Sequence, residues 1–235
     1  MTRVTGERGV VLHTRPYRES SLIVNILTAQ HGRIAAVANG ARGRRKGTSR
    51  GTELQPFNQL ALAWSGRGSM VTLTSSEGVS HPWLQGEPMA AAFYVVELIM
   101  RLLAENESAP RLFAATVWAI DSLSAGDPTT EVVLRSFEKL LLEELGYAVD
   151  FGSDADLGTV LDPQVSYALV LERGFVAAAN EQDVFAGSDL LAIGNDDYSL
   201  VSTRRAAKRI FRRLLDAQLG PKPLTSRLLL LRSER

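Results

Sequence analysis

The sequence contains no cysteine, and this absence excludes several classes of protein. A disulfide framework, a thiol nucleophile and a zinc site built from thiolates all require cysteine. Histidine is also scarce: the three present, His13, His31 and His81, are far apart and have no metal-binding spacing. We therefore expect neither a bound metal nor a cofactor.

Long hydrophobic runs are missing as well. The longest apolar stretches are shorter than the roughly 18 residues that a membrane-spanning helix requires. No apolar segment follows the charged N-terminus, as a signal peptide would require. The 235 residues are 45% hydrophobic and include only 9 prolines, a composition typical of globular proteins. We therefore expect a cytoplasmic protein that does not contact membranes.

The net charge of zero conceals a segregation of charge along the chain. Residues 1–76 carry 11 basic and 3 acidic side chains, and residues 201–235 carry 10 and 2, so each end has a net charge of +8. Residues 77–200 carry 5 basic and 21 acidic side chains, a net charge of −16. Basic blocks are typical of contact with a polyanion. The alternatives are solvated faces, or basic ends that dock on the acidic middle.

The first 80 residues have the pattern of a small antiparallel barrel. Short runs rich in valine, isoleucine, leucine and threonine, several of them alternating with polar residues, are separated by turns that contain glycine. These runs predict strands at residues 9–14, 21–28, 33–38, 58–64 and 69–74. Five strands within about 75 residues fit an OB-type barrel.

After the predicted barrel, the periodicity changes to that of helices. The pattern predicts a hairpin at residues 165–179 and helices at 89–103, 109–124, 130–145, 203–219 and 227–232. We therefore predict an α+β protein. Its OB-fold domain covers residues 1–80, and its helical domain covers residues 81–235, with the hairpin subdomain at about 150–200. Trp64, Trp83 and Trp118 are candidates for the core; for Trp64, which lies in the barrel segment, base stacking is the alternative.

The densest group of cations lies between the third and fourth predicted strands. Glycine and serine in the segment GARGRRKGTSRG (40–51) allow a loop to follow a phosphate backbone, and arginine binds phosphate through paired hydrogen bonds. Lys46 precedes Gly47 instead of following a glycine, so the P-loop pattern for nucleotides fails. The candidate phosphate-binding residues are Arg33, Arg42, Arg44, Arg45, Lys46 and Arg50. A loop that is merely solvated is the alternative.

A second row of cations lies on the helix predicted at 203–219. Basic residues recur there every three or four positions, opposite an apolar face. This spacing fits a solvated face and a nucleic-acid contact equally well. The candidate contacts are Arg205, Lys208, Arg209 and Arg212.

No arrangement of catalytic residues is visible in the sequence. Glu143 and Glu144 are adjacent, so on a helix they diverge by about 100° and cannot form a close carboxylate pair. No G-x-S-x-G motif or serine–histidine–aspartate arrangement is evident. We expect a protein that is not an enzyme.

Six segments spanning nearly the whole chain become distinctive when they are read together and in order. They are GVVLHTRPYRESSLIVNILTAQHGRIAAVANGARGRR, LQPFNQLALAWSGRG, LTSSE, LRSFEKLLLEELGY, AAKRIFRR and GPKPLTSRLLL. Together they resemble the RecO family of bacterial recombination mediators. The resemblance implies an N-terminal OB fold, a helical bundle and a zinc-ribbon-like insertion. Many relatives carry four cysteines in the segment that matches 150–200, so here it implies a hairpin subdomain without zinc.

The same resemblance implies a function and a set of partners. The family binds single- and double-stranded DNA and anneals complementary strands on the nucleoid. Together with RecR, it helps to load RecA onto strands coated with single-strand DNA-binding protein. An adaptor that docks acidic protein tails without contacting DNA is the alternative.

The resemblance also assigns a role to Arg135 in the helix predicted at 130–145. It places Arg135 at a site that holds the acidic, phenylalanine-ended tail of single-strand DNA-binding protein. Because Arg135 lies one residue away from the buried stripe of this helix, we expect it to be exposed. An ion pair with Glu131 or Glu138 on the helix surface is the alternative.

Overall fold

The computed structural model describes residues 3–42, 50–68, 70–178 and 183–233. Its contacts divide the chain into two compact units. The first unit comprises Met1–Thr130 and Leu224–Arg235, and the second comprises Glu131–Pro223. The elements are, in order, β1 (Arg3–Tyr17), β2 (Ser21–Thr28), β3 (Gly32–Ala38), α1 (Arg50–Glu53), β4 (Gln59–Ser65), β5 (Val71–Ser80), α2 (Gly86–Leu102), α3 (Pro110–Ala125), α4 (Thr130–Glu144), β6 (Ser166–Val170), β7 (Gly174–Ala177), β8 (Val184–Ala186), α5 (Gly187–Gly194), α6 (Val201–Leu219) and α7 (Thr225–Ser233).

Five strands of the first unit close into a barrel in the order β1-β2-β3-β5-β4. Neighbouring strands are antiparallel, except for β3 and β5, which are parallel. This arrangement confirms the predicted OB-type barrel. The strand β2 has the predicted bounds, whereas β1 and β5 extend several residues beyond theirs.

The barrel encloses a core of alternating apolar side chains, including those of Ile26 and Leu62. The strand β1 runs close to this core at Gly9. A Cβ atom on Gly9 would lie 2.6 Å from Leu62 Cδ1 and 2.7 Å from Ile26 Cγ2, so only glycine fits there without a shift of these side chains.

Trp64 lies in the barrel core, as predicted. The other two candidate tryptophans are not in the core, since Trp83 is 77% exposed and Trp118 is 41% exposed. Trp83 lies in the connection between β5 and α2, and Trp118 lies on the outer face of α3.

The helices α2, α3 and α7 complete the first unit. Both α2 and α3 lie against β1, and α7 lies along α2. Glu97 of α2 caps the N-terminus of α7, because its carboxylate accepts the backbone N–H groups of Thr225 at 3.0 Å and Ser226 at 2.8 Å. The last helix of the chain is thereby fixed to the unit that contains the barrel.

The second unit consists of α4, a small antiparallel sheet in the order β7-β6-β8, and the helices α5 and α6. The strands β6 and β7 form a hairpin, whereas β8 and α5 had not been predicted. Phe151 joins the sheet to α6, since its ring centroid lies 5.2 Å from that of Phe175 and 6.1 Å from that of Phe211.

A buried carboxylate holds the turn that precedes this sheet. Asp154 accepts the backbone N–H groups of Asp156 at 2.8 Å, Leu157 at 3.0 Å and Ala177 at 3.0 Å. The first two bonds close the turn, and the third attaches it to β7. Charge-assisted hydrogen bonds of this kind are stronger than neutral ones, so Asp154 helps to order a region that contains no cysteine.

Candidate nucleic-acid interface

Two loops of the first unit meet at one end of the barrel. They are the β1–β2 turn (18–20) and the start of the β3–α1 loop (39–42). They are neighbours because Leu22 pairs with Ala38, and a hydrogen bond of 2.9 Å joins Arg42 N to Ser20 O. The β4–β5 loop does not lie with them, because β3 and β5 run parallel and the loop that precedes β5 therefore lies towards the other end of the barrel.

Each of these two loops carries an exposed arginine, Arg18 or Arg42. We call this pair the arginine end of the barrel. The Nη1 atom of Arg42 donates a hydrogen bond of 3.4 Å to the backbone carbonyl oxygen of Arg18, so the Arg42 side chain is attached to the β1–β2 turn. Glu19, in the β1–β2 turn, is an exposed acid at the same end. Guanidinium groups on adjoining loops can contact neighbouring phosphates of one strand.

The predicted phosphate-binding loop continues directly from this end of the barrel. Arg42 is exposed, as a phosphate contact requires. Arg44, Arg45 and Lys46 lie outside the described residues. The backbone of Arg50 begins α1, but its side chain is likewise outside the described part of the chain. Phosphate binding by these four side chains therefore stays a prediction.

Arg33 is not brought together with the arginine end. Its Nε donates to Leu103 O at 3.1 Å, its Nη1 lies 3.2 Å from Glu105 Oε1, and its side chain is only 12% exposed. It lies at the start of β3, about 17 Å along the strand from Ala38. In this structure Arg33 attaches the connection between α2 and α3 to the barrel.

The predicted basic face is present on α6 in the second unit. Arg205, Lys208, Arg209 and Arg212 are all exposed on it. Arg209 pairs with Asp183, and its guanidinium lies 4.6 Å from the centre of the Phe185 ring. Arg212 makes a loose pair with Asp216 at 3.7 Å. Exposed pairs of this kind are weak and do not prevent a side chain from binding phosphate.

Two other cations of α6 form ion pairs with acids of the same unit. Arg204 Nε lies 2.9 Å from Glu131 Oε2, and Arg213 Nη1 lies 2.9 Å from Asp183 Oδ2. Arg213 also donates to Leu169 O at 3.0 Å. These pairs join a basic end of the sequence to its acidic middle, which is one of the alternatives that the charge pattern left open.

The expected exposure of Arg135 is wrong. Its Nη2 atom lies 3.1 Å from Glu138 Oε1, and Arg135 as a whole is only 4% exposed. Within the described part of the chain, Arg135 Nε and the nearby Tyr198 hydroxyl have no hydrogen-bond partner. Burial raises the pKa of Tyr198, and the negative charges of Asp196 and Glu138 raise it further, whereas Arg135 lowers it. Arg135 therefore belongs to a buried polar cluster of the second unit, and its role in binding a partner stays a prediction.

Arg18 is absent from the residues predicted from the sequence, although it lies in a turn next to a predicted strand. Its signal in the sequence is weak, because an isolated arginine is less conspicuous than a dense run of cations. Its place beside the loop after β3 follows only from the pairing of β2 with β3.

The described residues include neither a cluster of metal ligands nor a helix able to span a membrane. Ranges 3–42, 50–68, 70–178 and 183–233 contain no group of three or more potential ligands positioned to hold a metal ion. In the same part of the chain, no helix is both long and apolar enough to cross a membrane.

Comparison with known proteins assigns nearly the whole length of the chain to one family. Residues 1–82 match the family described as recombination protein O N terminal, and residues 84–228 match recombination protein O C terminal. The DNA repair protein RecO of Cellvibrio japonicus is 39% identical over 229 residues, which cover 96% of each chain. That of Vibrio vulnificus is 41% identical over 223 residues, which cover 94% of this chain and 90% of the relative. The chain therefore belongs to the RecO family, whose role is in DNA repair and recombination.

Proposed function

We propose that this chain is a recombination mediator that binds single- and double-stranded DNA through its phosphates and anneals complementary strands. With RecR, it helps to load RecA onto strands coated with single-strand DNA-binding protein, on the nucleoid in the cytoplasm. It has no catalytic activity of its own. The observation that carries the DNA-binding part of this proposal is the arginine end, where Arg18 and Arg42 lie exposed on two adjoining loops.

Annealing follows from charge neutralisation on two separate surfaces. The first unit has the arginine end and the second has the basic face of α6. Each surface can hold phosphates of one strand, which lowers the repulsion between strands. Contacts to phosphate carry no base sequence, so a mediator of this kind acts on any pair of complementary strands.

A salt titration tests the proposal most directly. Binding through phosphates releases counterions, so the logarithm of the binding constant falls linearly with the logarithm of salt concentration. Replacing Arg44, Arg45 and Lys46 by alanine should flatten this slope by up to about 2 on single strands and about 3 on duplex DNA. All DNA sequences should be affected alike.

The arginine end can be tested separately against a matched control. The double substitution of Arg18 and Arg42 by alanine should flatten the slope by up to about 1.4 on single strands and about 1.8 on duplex DNA. The control is Arg111→Ala, which removes an exposed arginine of α3 in the same unit. Absence of DNA binding by the wild-type chain at low salt would refute the proposal and favour the adaptor that docks acidic protein tails.

The basic face of α6 should matter for annealing more than for the first binding step. Replacing Arg205, Lys208 and Arg212 by alanine leaves the internal pairs of Arg204 and Arg213 in place. We expect this variant to bind a single strand but to anneal complementary strands more slowly than wild type. Unchanged annealing would assign this face to solvent.

Binding of the acidic tail of single-strand DNA-binding protein needs a variant suited to the buried position of Arg135. Reversal of its charge would set two carboxylates together in the interior, because Glu138 is its partner. The double variant Arg135→Met/Glu138→Leu removes the guanidinium without leaving a buried charge. If Arg135 holds the tail, this folded variant should lose affinity for the tail peptide in fluorescence anisotropy. Affinity within twofold of wild type would place the tail elsewhere.

A further inference from the structure

The outer face of β1 carries a row of side chains that leads to the arginine end. In the register with β2, Thr14 and Pro16 lie opposite core residues of the barrel. Strand alternation therefore directs His13, Arg15 and Tyr17 to the outside. The row extends about 13 Å along the strand and ends at the β1–β2 turn.

At the end of this row, an aromatic ring and a guanidinium lie together. The guanidinium carbon of Arg18 is 5.1 Å from the centre of the Tyr17 ring, and Tyr17 remains partly exposed. Arg18 has a φ of 51°, in the left-handed region that glycine and asparagine adopt with the lowest energetic cost. Backbone strain of this kind concentrates at functional positions. Here it accompanies the contact between Arg18 and the ring.

We propose that Tyr17 and Arg18 form a stacking site for one unpaired base, so that the arginine end prefers single-stranded DNA. This inference rests on the proposed function, in which that end binds DNA. Bases stack on tyrosine rings and on guanidinium planes whatever their identity. In a duplex the bases are already stacked inside the helix, so only a single strand can place a base on Tyr17. Arg42, linked to the carbonyl of Arg18, lies where it can bind a phosphate of the same strand.

The substitution Tyr17→Ala separates stacking from charge. It should weaken binding of a single-stranded oligonucleotide by about 5- to 150-fold, the range that corresponds to loss of one base–aromatic stack. Binding to a duplex of the same sequence should stay within twofold. The salt slope should not change, because no phosphate contact is removed. Tyr17→Phe and Tyr17→Trp should restore single-strand binding, and Tyr147→Ala, which removes an exposed tyrosine of the second unit, should have no effect.

A second measurement uses the wild-type chain and does not depend on how a variant folds. Single-stranded DNA containing 5-iodouracil should cross-link to Tyr17 on irradiation. Trypsin cleaves after Arg8 and Arg18 but not between Arg15 and Pro16, so the cross-link would be found in the peptide 9–18. Cross-links confined to other peptides would overturn the proposal.

The outcomes distinguish this inference from the proposed function. Steep salt-dependent binding by wild type, together with unchanged single-strand affinity of Tyr17→Ala, would refute the stacking site and leave the proposed function intact. Equal losses on single strands and duplex would also refute it. Absence of DNA binding by wild type would overturn both.

Discussion

Replacing Arg135 by methionine should destabilise the second unit, because the substitution removes the cation that pairs with the buried carboxylate of Glu138. The two side chains are only 5% and 3% exposed, and their ion pair is 3.1 Å long. Methionine has a similar length and fills the space, so loss of packing contributes little. Removal of one partner from a buried pair typically lowers the free energy of unfolding by about 3–5 kcal/mol.

The double variant Arg135→Met/Glu138→Leu should recover most of this loss. Apolar residues of similar volume often replace a buried pair without loss of stability, because two charges no longer have to be desolvated. Arg135 Nε has no hydrogen-bond partner in the described part of the chain, so the native pair is incompletely compensated. We therefore expect the double variant to be within about 1 kcal/mol of wild type.

The measurement must report on the second unit alone. All three tryptophans, Trp64, Trp83 and Trp118, belong to the first unit, so their fluorescence serves as the internal control. Hydrogen exchange of the α4 amides in native conditions gives the local free energy of opening for the second unit. A loss below about 1 kcal/mol in Arg135→Met, in the range of exposed pairs, would refute the burial of Arg135 and restore it as a surface residue.

Four further predictions concern local contacts. Asp154→Ala should lower the stability of the second unit by about 2–4 kcal/mol in hydrogen exchange, since it leaves the N–H groups at the turn and at Ala177 without their acceptor; a loss under 1 kcal/mol would contradict this. Burial raises the pKa of Glu97, but hydrogen bonds from Ser226 outweigh this effect and hold the pKa below 4.5. The ionised carboxylate therefore stabilises the folded state, and the docking of α7 should weaken as pH falls below about 4.5 and Glu97 becomes protonated. Glu97→Gln should cost about 1 kcal/mol at pH 7 and remove that acid sensitivity in thermal unfolding, whereas an equal acid response would refute the capping role. Because burial raises the pKa of Tyr198 above 10.0, wild type should lose stability above pH 10 more steeply than Tyr198→Phe, and parallel profiles would count against it. Thermal unfolding with and without a strong chelator should coincide, and a drop of several degrees with the chelator would reveal a metal site.

Local sequence pattern was sufficient for the elements whose periodicity is regular. The strand β2 is a short, nearly continuous apolar run and the helix α4 has three-to-four spacing, and both occur where these patterns predicted them. The start of β1 lacks such a signal: Arg3, Thr5 and Arg8 are exposed and polar, while Glu7 is buried. Its extended conformation comes from pairing with β4, a contact between distant parts of the chain. Similarly, β8 has only three residues and forms by pairing with β6.

The candidate site shows the same division between local and long-range information. That the loop after β3 would be basic could be read directly from the sequence. That Arg18 would lie near it depended on the pairing of β2 with β3, which brings the β1–β2 turn beside residues 39–42. Arg135 is the opposite case. Its helical phase indicated exposure, but Tyr198, 63 positions later in the sequence, lies close enough for Arg135 to affect its pKa. Helical periodicity carries no information about such a contact.

The distribution of acids then decides which cations are available to DNA. On α6, successive side chains are about 100° apart, so Arg204 and Arg213 reach Glu131 and Asp183 while Arg205 faces solvent. The net charge of +8 at this end of the sequence therefore overstates the charge that a phosphate backbone would meet. On the barrel, Arg33 is similarly paired with an acid from the connection that follows α2. The arginine end of the barrel lies on segments whose sequence contains few acids, and this makes it the stronger candidate for binding nucleic acid.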